Sequence, residues 1–312
     1  MRKTFGASPV TAPVTSACYT LRIHFLRIKE LLMQTCEELL YTQSEDGLLL
    51  AGVCITPPQP SSFPPITLLW IHGNTGTFYD WPYITIGRAL VRQGFAFLSC
   101  NTRGHDISAT LYRLPDDIPY AGGSAWERIE DAPADLAAWV NVAAERGSQK
   151  IILIGHSHGA TKTLFYQAQR ADPRVRAIIL ASPEVHGHWT DSLPTAQELV
   201  AAGQPTTLLT LFADEPWYQL SARTLVSRAQ ALEQAYSNTR GPSYLSTITT
   251  PILAFYGTGG DVGGETELAF LRQTAHESQH IDVKLIDGAD HVYTGYEAQL
   301  ASLIARWVAD IA

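Results

Sequence analysis

Short apolar runs alternate with segments of helical periodicity along most of this chain. The runs that predict strands span residues 37–42, 48–56, 66–71, 95–100, 151–154, 175–181, 251–256 and 281–286. Helical patterns at 81–93, 126–145, 160–170 and 296–311 separate several of these runs. This alternation is typical of an α/β protein with a mostly parallel, doubly wound sheet. The turn sequence Ser-Glu-Asp-Gly at 44–47 predicts an antiparallel hairpin at the N-terminal edge.

The segment 184–249 breaks this alternation. It contains helical patterns near 196–202 and 222–236 and no run that fits the sheet. We therefore predict a helical cap or lid inserted at 184–249 into one core domain, which is formed by 36–183 and 250–312. Because the insertion follows the carboxyl end of a strand, where α/β proteins place their sites, contact with substrate is favoured. The alternative is a peripheral elaboration away from the substrate.

The first 35 residues are expected to form a flexible N-terminal extension. Residues 1–17 are rich in Ser, Thr, Pro and Ala and contain no continuous apolar run, so a secretory signal is a poor match. Residues 19–32 fit a mobile tail, or an upstream-extended start with Met33 as the natural beginning of the domain. A basic amphipathic helix at a membrane surface is the less favoured alternative.

Composition and charge narrow the classes of function. The 312 residues are 46% hydrophobic and 17% charged, which is ordinary for a globular protein with one α/β core. The net charge is −8, and because the first 32 residues carry +4, the remaining chain carries −12. This acidic body argues against nucleic acid or an anionic membrane as partner, and no apolar run approaches a membrane span. The four cysteines lack metal-site spacing, which favours reduced thiols in a cytoplasmic protein.

One polar cluster carries a nucleophile motif. Clusters follow the apolar runs at 72–76, 101–106, 155–159, 257–261 and 287–291. The third reads Gly-His-Ser-His-Gly, which is G-x-S-x-G between a strand-like and a helical segment. A serine held on such a tight turn needs strained backbone angles, and small residues on either side let strand and helix pass closely. Ser157 is therefore predicted to be a nucleophile, and the plainer alternative is a Gly-rich strand–helix turn.

A serine nucleophile needs a base within hydrogen-bond reach. His291 lies in a short turn after the last predicted strand, in the sequence Gly-Ala-Asp-His. His276 and His280 lie between a helix and a strand, where surface exposure is the default. His291 is therefore the predicted general base.

The base in turn needs a carboxylate that orients it. Asp261 closes the sequence Gly-Thr-Gly-Gly-Asp directly after a predicted strand, where the glycines allow a tight turn. Its rivals are Asp287 and Asp290, which neighbour the histidine and more often cap such turns, and Asp214 in the insertion. The alternative for Asp261 is an N-cap of a helix that begins near Glu265. Asp261 is the favoured catalytic acid.

A tetrahedral intermediate needs two hydrogen-bond donors. The backbone N–H of His158, next to the nucleophile, is one candidate. The loop His72-Gly73-Asn74 after the strand at 66–71 offers the other, the backbone N–H of Asn74. The side chain of His72 is expected to form structural hydrogen bonds rather than to act as an acid or base.

Together these motifs resemble those of the α/β-hydrolase superfamily. The His-Gly loop, the turn at 101–106, Gly-His-Ser-His-Gly, Gly-Thr-Gly-Gly-Asp and Gly-Ala-Asp-His appear in that superfamily's order over residues 36–312. The resemblance implies an α/β-hydrolase fold, a Ser157/His291/Asp261 triad and a cap domain between the sixth and seventh strands. The plain His-Gly-x loop departs from the His-Gly-Gly-Gly form of hormone-sensitive-lipase-like esterases. The chain is thus more similar to cap-bearing esterases and C–C hydrolases.

The favoured function is a cofactor-free serine hydrolase that cleaves carboxylic esters through an acyl-enzyme on Ser157. Alternatives of the same fold are a C–C bond hydrolase and an amidase. An alternative of another class is a non-catalytic relative that binds a small molecule, against which the intact triad argues. A haloalkane dehalogenase is excluded because it would need aspartate at position 157. No metal is expected, because the acidic residues are not spaced as a metal motif.

The candidates for the substrate pocket are mostly aromatic or basic: His72, Tyr79, Arg103, His105, Trp189, Trp217 and Tyr218. These aromatics, together with Trp81 and Phe212, predict a small or medium ester with an apolar or aromatic group. Packing inside the cap or a homodimer contact explains the aromatics about equally well. Arg103 has a second role open to it, which is to brace loops through backbone carbonyls.

Overall fold

A central sheet organises the fold of this protein. The computed structural model describes residues 35–58, 63–187 and 190–311. Its strands are β1 (Cys36–Gln43), β2 (Leu49–Thr56), β3 (Ile66–Ile71), β4 (Ala96–Cys100), β5 (Ala109–Arg113), β6 (Ile118–Gly122), β7 (Lys150–His156), β8 (Val175–Ala181), β9 (Leu208–Thr210), β10 (Gln219–Ser221), β11 (Ile252–Gly257) and β12 (Ile281–Ile286). The expectations for residues 1–34, and those for Trp189, lie outside the described residues.

Eight of these strands form the sheet, in the order β1-β2-β4-β3-β7-β8-β11-β12. The strands from β4 to β12 in that order pair in parallel, whereas β1 pairs with β2 and β2 with β4 in antiparallel fashion. The prediction of a mostly parallel sheet with an N-terminal antiparallel hairpin is therefore confirmed. Because parallel strands point the same way, the polar clusters that follow β3, β4, β7, β11 and β12 lie at one edge.

Helices cover both faces of the sheet. They are α1 (Trp81–Val91), α2 (Ala132–Glu145), α3 (His158–Arg170), α4 (Leu193–Ala201), α5 (Ala222–Tyr236), α6 (Tyr244–Thr247), α7 (Glu265–Thr274) and α8 (Glu297–Ile311). Proline stands in the first turn of α1, α2 and α4, where its missing N–H costs nothing. The hydroxyl of Ser221 caps α5 by accepting from the Thr224 backbone N–H.

The continuous apolar runs of the inner strands follow from burial on both faces. Along β3, Leu69 packs into one hydrophobic cluster together with Trp139 of α2 and Leu164 of α3. The alternate residue Trp70 packs into a second cluster with Ile304 of α8. Strand β3 is thus held between two helical layers, and its carboxyl end is fixed at the edge where the polar clusters meet.

Two hairpins depart from the expected elements. Residues 107–125 lie between the run at 95–100 and the helical pattern at 126–145, where no strand was predicted, but β5 and β6 pair within them. Pro119 inside β6 argues against a central strand; this two-stranded ribbon has open edges that tolerate it. Between β8 and β11 the chain is mainly helical, as predicted, but β9 and β10 also form a ribbon there. In the described ranges no helix is long and apolar enough to cross a membrane.

Candidate active site

Ser157 lies on the sharp turn between β7 and α3, at the carboxyl edge of the sheet. Its backbone angles, φ 53° and ψ −122°, are strained for a residue with a side chain. A Cβ at Gly155 would lie 2.4 Å from the Gly159 carbonyl oxygen, and one at Gly159 would lie 2.4 Å from the Ile71 carbonyl oxygen. Only glycine fits these two places, so the G-x-S-x-G spacing is what allows β3, β7 and α3 to pass so closely.

His291 and Asp261 meet beyond the ends of β11 and β12. The Nδ1 atom of His291 lies 2.7 Å from Oδ1 of Asp261. The buried carboxylate also accepts from the backbone N–H groups of Gly257 and Val262, each at 2.7 Å, and from the Ser182 hydroxyl. Burial would raise the pKa of Asp261, but these hydrogen bonds, first that from His291, outweigh burial and lower the pKa below its ordinary value. The ionised carboxylate can therefore orient the imidazole and stabilise its charged form.

Two residues that the sequence analysis did not single out complete the setting of Asp261. The hydroxyl of Ser182, directly after β8, is hydrogen-bonded both to Asp261 and to the Tyr293 hydroxyl. Tyr293 is fully buried, and burial raises the pKa of its hydroxyl well above the ordinary value, so it stays neutral. Ser182 and Tyr293 are 111 positions apart in the sequence, so no local motif indicates that they meet.

His156, which precedes the nucleophile, holds the turn that carries His291. Its Nε2 lies 2.8 Å from the His291 carbonyl oxygen, and its Nδ1 lies 2.9 Å from the Tyr83 hydroxyl. Because the carbonyl can only accept, we assign the proton to Nε2. Burial lowers the pKa of His156 to about 3, so the ring is neutral. His156 therefore fixes the position of His291 through a backbone contact.

A cavity of about 290 Å³ lies over Ser157. Ser157 and His291 both line it, beside Asn74 and the aromatic side chains of the insertion, Phe212, Trp217 and Tyr218. Within the described chain the Ser157 hydroxyl has no hydrogen-bond partner. Such serine–histidine bonds are often long without substrate and tighten in the complex. A hydroxyl and an imidazole thus face one space, and a carboxylate holds the imidazole from the other side, which is the set of groups that nucleophilic catalysis uses.

Two backbone donors stand beside this cavity. In the residues that the structure describes, the N–H groups of Asn74 and His158 have no acceptor. The Asn74 loop passes directly by the nucleophile, since a Cβ at Gly73 would lie 2.9 Å from Cβ of Ser157. Unpaired donors next to a serine hydroxyl are what an oxyanion requires.

His72 lies under the loop rather than in the cavity wall. Its Nδ1 is 2.7 Å from the Gly73 carbonyl oxygen, and its Nε2 accepts from the Thr102 backbone N–H at 3.1 Å. The ring is fully buried, and burial, followed by the charge of Lys162, lowers its pKa well below the ordinary value. His72 is thus a neutral structural link between the ends of β3 and β4.

A buried ionic cluster connects the insertion to the nucleophile turn. We name Glu127, Lys162 and Arg228 the Glu127 cluster: Glu127 lies 2.8 Å from Lys162 Nζ and 3.3 Å from Arg228 Nη2. Arg228, on α5, also donates to the Asn74 side-chain oxygen at 2.8 Å, and the Tyr218 hydroxyl bonds to both. Burial would raise the pKa of Glu127, but the charges of Lys162 and Arg228 outweigh it and lower the pKa. The loop with the Asn74 donor is therefore anchored to the insertion.

Arg103 lies in a second ionic cluster, away from the cavity. Its guanidinium is 2.7 Å from Asp135 and 2.9 Å from Asp46, and these three residues form what we name the Arg103 cluster. Its backbone N–H also donates to Asp135 at 2.8 Å. Of the two roles predicted for Arg103, the structure fits loop bracing. The side chain braces the turn after β4 through carboxylates rather than through backbone carbonyls.

The other predicted pocket residues fall into two groups. Trp217 and Tyr218 line the cavity. Tyr79 and Trp81 lie outside that lining and are 58% and 59% exposed, while His105 is held by Asp106 at 2.8 Å. Across the described ranges, no group of three or more His, Cys, Asp or Glu side chains could hold a metal ion.

Comparison with known proteins agrees with this architecture. A family model described as alpha/beta hydrolase fold matches residues 66–247. A Butyrivibrio proteoclasticus protein with bound ferulic acid aligns with a TM-score of 0.62 at 18% identity, over 87% of this chain and 98% of its own. A Paleococcus ferrophilus monoacylglycerol lipase gives 0.63 at 15% identity, over 84% of this chain and 99% of its own. A Pyrococcus furiosus esterase gives 0.57 at 17% identity, over 90% and 94%.

Because the sequence identities to these solved structures are low, the similarity shows a shared fold only. No curated protein matches the chain. The resemblance drawn from the motif order, and the fold that it implied, are both confirmed by the matched family model and the aligned structures.

Proposed function

This chain belongs to the α/β-hydrolase fold family, and from that premise we propose that it is a serine hydrolase of carboxylic esters. One observation carries the proposal: Ser157, on a strained strand–helix turn, lines the same cavity as His291, whose Nδ1 is bound to Asp261 at 2.7 Å. The unpaired backbone donors of Asn74 and His158 support the same conclusion.

The proposed reaction uses two steps on one serine. His291 takes the proton of Ser157 through Nε2 as the oxygen attacks the ester carbonyl, and Asp261 holds the opposite Nδ1–H. The amides of Asn74 and His158 stabilise the oxyanion. The leaving alcohol receives its proton from His291. Water then attacks the acyl-enzyme, and His291 again acts as base.

The substrate is proposed to be a small or medium ester with an aromatic or apolar group. The rings of Phe212, Trp217 and Tyr218 offer an aromatic wall in a cavity of about 290 Å³. The ferulic acid bound by one aligned protein and the lipase activity named for another fit this chemistry. We accordingly assign residues 184–249, which contain these aromatics, the role of a cap.

The test is hydrolysis of p-nitrophenyl esters, from acetate to palmitate, by the wild type and by Ser157→Ala. Loss of the nucleophile is expected to reduce kcat by roughly four to six orders of magnitude. The matched control is Ser302→Ala on α8, which is expected to leave kcat unchanged. Covalent labelling by a fluorophosphonate is expected in the wild type and absent in Ser157→Ala. Activity retained in Ser157→Ala would remove Ser157 from the proposed role.

A further inference from the structure

Glu184 is a buried carboxylate in the wall of the cavity. It is 8% exposed and lines the same space as Ser157 and His291. In the part of the chain that the structure describes, no hydrogen-bond donor reaches it, and Nδ1 of His158 lies 3.9 Å from its carboxylate. A largely buried carboxylate without a protein donor costs free energy unless a partner in the cavity supplies a hydrogen bond. Such a group, open only toward a cavity, indicates that a ligand supplies the missing partner.

The neighbouring groups do not neutralise Glu184. Burial, and then the charge of Arg228, lower the pKa of His158 well below the ordinary value, so that ring is neutral. Lys162 and Arg228 both bind Glu127, at 2.8 Å and 3.3 Å, and neither comes within ion-pair distance of Glu184. The carboxylate therefore faces the cavity without a counter-ion of its own.

The other walls of the cavity also suit a cation. A second carboxylate, Glu215, lines it, and its described lining contains no lysine or arginine. The rings of Phe212 and Tyr218 stack at 5.7 Å, and that of Trp217 lies edge-on to Tyr218 at 5.9 Å. Aromatic faces attract ammonium groups through their electrostatic quadrupole, more strongly where water is excluded.

We propose that Glu184, with Glu215 and these aromatic rings, binds an ammonium group of the substrate. This rests on the proposed function, because the cation is part of the ester that Ser157 cleaves. The enzyme then prefers esters that bear a quaternary or protonated amine to neutral esters of the same shape. Glu184 is the residue that sets this preference.

A neutral hydroxyl donor would satisfy Glu184 alone, but it would leave the second carboxylate and the aromatic faces unused. The ammonium explains all three. Burial raises the pKa of Glu184 to about 7, although Arg228 and His291 lower it in part. Since a cation binds the ionised carboxylate better, affinity for the ammonium group is expected to increase as pH rises through about 7.

The experiment compares two substrates of the same shape, 2-(trimethylammonio)ethyl butyrate and its uncharged isostere 3,3-dimethylbutyl butyrate. In the wild type, kcat/KM is expected to favour the cationic ester by about tenfold. Glu184→Gln is expected to bring the ratio close to one, chiefly because kcat/KM for the cationic ester falls by about tenfold. The matched control Glu198→Gln, an exposed charge on α4, should leave the ratio unchanged. A wild-type ratio near one, or a ratio unaffected by Glu184→Gln, would overturn the proposal.

Calorimetric binding of benzyltrimethylammonium to Ser157→Ala separates this inference from the proposed hydrolysis. Binding that is lost in the double variant Ser157→Ala/Glu184→Gln supports the ammonium site even if neither ester is cleaved. Cleavage of the neutral ester without any cation binding overturns the ammonium site and leaves the hydrolase intact. Glu184→Gln is nearly isosteric and breaks no hydrogen bond; should it fail to fold, Glu215→Gln gives the same comparison with a smaller expected loss.

Discussion

Arg103 and Arg228 are both buried arginines with carboxylate partners, but they connect different parts of the molecule. Arg103 joins the turn after β4 to Asp135 of α2 and to Asp46 in the β1–β2 turn. Arg228 joins α5 to Glu127 and to the Asn74 loop beside the cavity. The chemistry of the two guanidinium groups is alike. The two arginines differ in the elements that they connect. Arg103 is therefore expected to stabilise the core, and Arg228 is expected to position the candidate site.

The carboxylates of the two clusters differ as well. For Asp135, burial outweighs the attraction of Arg103, and its pKa is raised. For Glu127, the charges of Lys162 and Arg228 outweigh burial, and its pKa is lowered. The two carboxylates also differ in their cations: Glu127 lies beside Lys162 and Arg228, whereas Asp135 has Arg103, which it shares with Asp46.

Arg103→Met is the change with the largest expected effect on the fold. It leaves Asp135 buried without its cation, which is expected to lower the free energy of unfolding by about 3–5 kcal/mol. The kcat of the molecules that remain folded is expected to stay within about twofold of the wild type, because Arg103 does not line the cavity. Urea denaturation and active-site-titrated kinetics measure the two quantities. A tenfold lower kcat in fully folded protein would contradict the separation of the two clusters.

Arg228→Met is expected to affect stability less and catalysis more. Glu127 keeps Lys162, so the free energy of unfolding is expected to fall by only about 1–3 kcal/mol. The Asn74 loop loses its anchor, and kcat for a neutral p-nitrophenyl ester is expected to fall about tenfold, since a misplaced oxyanion donor stabilises the transition state less. The same assays apply, and Arg103→Met serves as the control of identical chemistry. An unchanged kcat would show that the contact between Arg228 and Asn74 does not position the donor.

The smallest effect is a difference in pH dependence between the two carboxylates. A lowered pKa means that Glu127 stabilises the fold above its unfolded pKa of about 4.5, and that this contribution is lost as pH falls. The stability difference between wild type and Glu127→Gln should therefore shrink below about pH 4.5. Asp135 has a raised pKa, so protonation on acidification relieves its cost. Relative to Asp135→Asn, the wild type should gain stability as pH falls. Urea titrations between neutral pH and about pH 3 compare the two slopes, and slopes of equal sign would refute the contrast.

Most of the strands and helices of the fold could be predicted from local sequence patterns. The bounds of β3 and β8 were predicted to the residue, because buried parallel strands read as unbroken apolar runs. The ribbon of β9 and β10 has only three residues in each strand, too few for periodicity to identify.

In the candidate site, too, some residues were predictable from local sequence patterns and others were not. Ser157, His291 and Asp261 stand in motifs that follow predicted strands, so strand-end position was enough to bring them together. Glu127 and Arg228 are separated by 101 positions, and nothing in the residues around either predicts that they meet. The partners of a buried charge are set by tertiary packing, which leaves no local signal.

Because local sequence does not determine tertiary contacts, the positions of two surface aromatic residues also differ from those expected. Tyr79 and Trp81 directly follow a polar loop at a strand end, the position from which they were expected to reach substrate. They instead lie outside the cavity lining, at the surface around the start of α1. Trp217, far along the chain in the insertion, lines the cavity in their place.

The strained turn at Ser157 has a consequence for how this protein can be improved. A side chain held at φ 53° and ψ −122° costs about 1–3 kcal/mol, which packing elsewhere must offset. Glycine at position 157 would adopt these angles freely but would carry no hydroxyl. A search for thermostable variants that monitors folding alone would therefore drift toward proteins without the Ser157 hydroxyl. With Ser157 as the proposed nucleophile, selection for stability and selection for activity would oppose each other at this one residue.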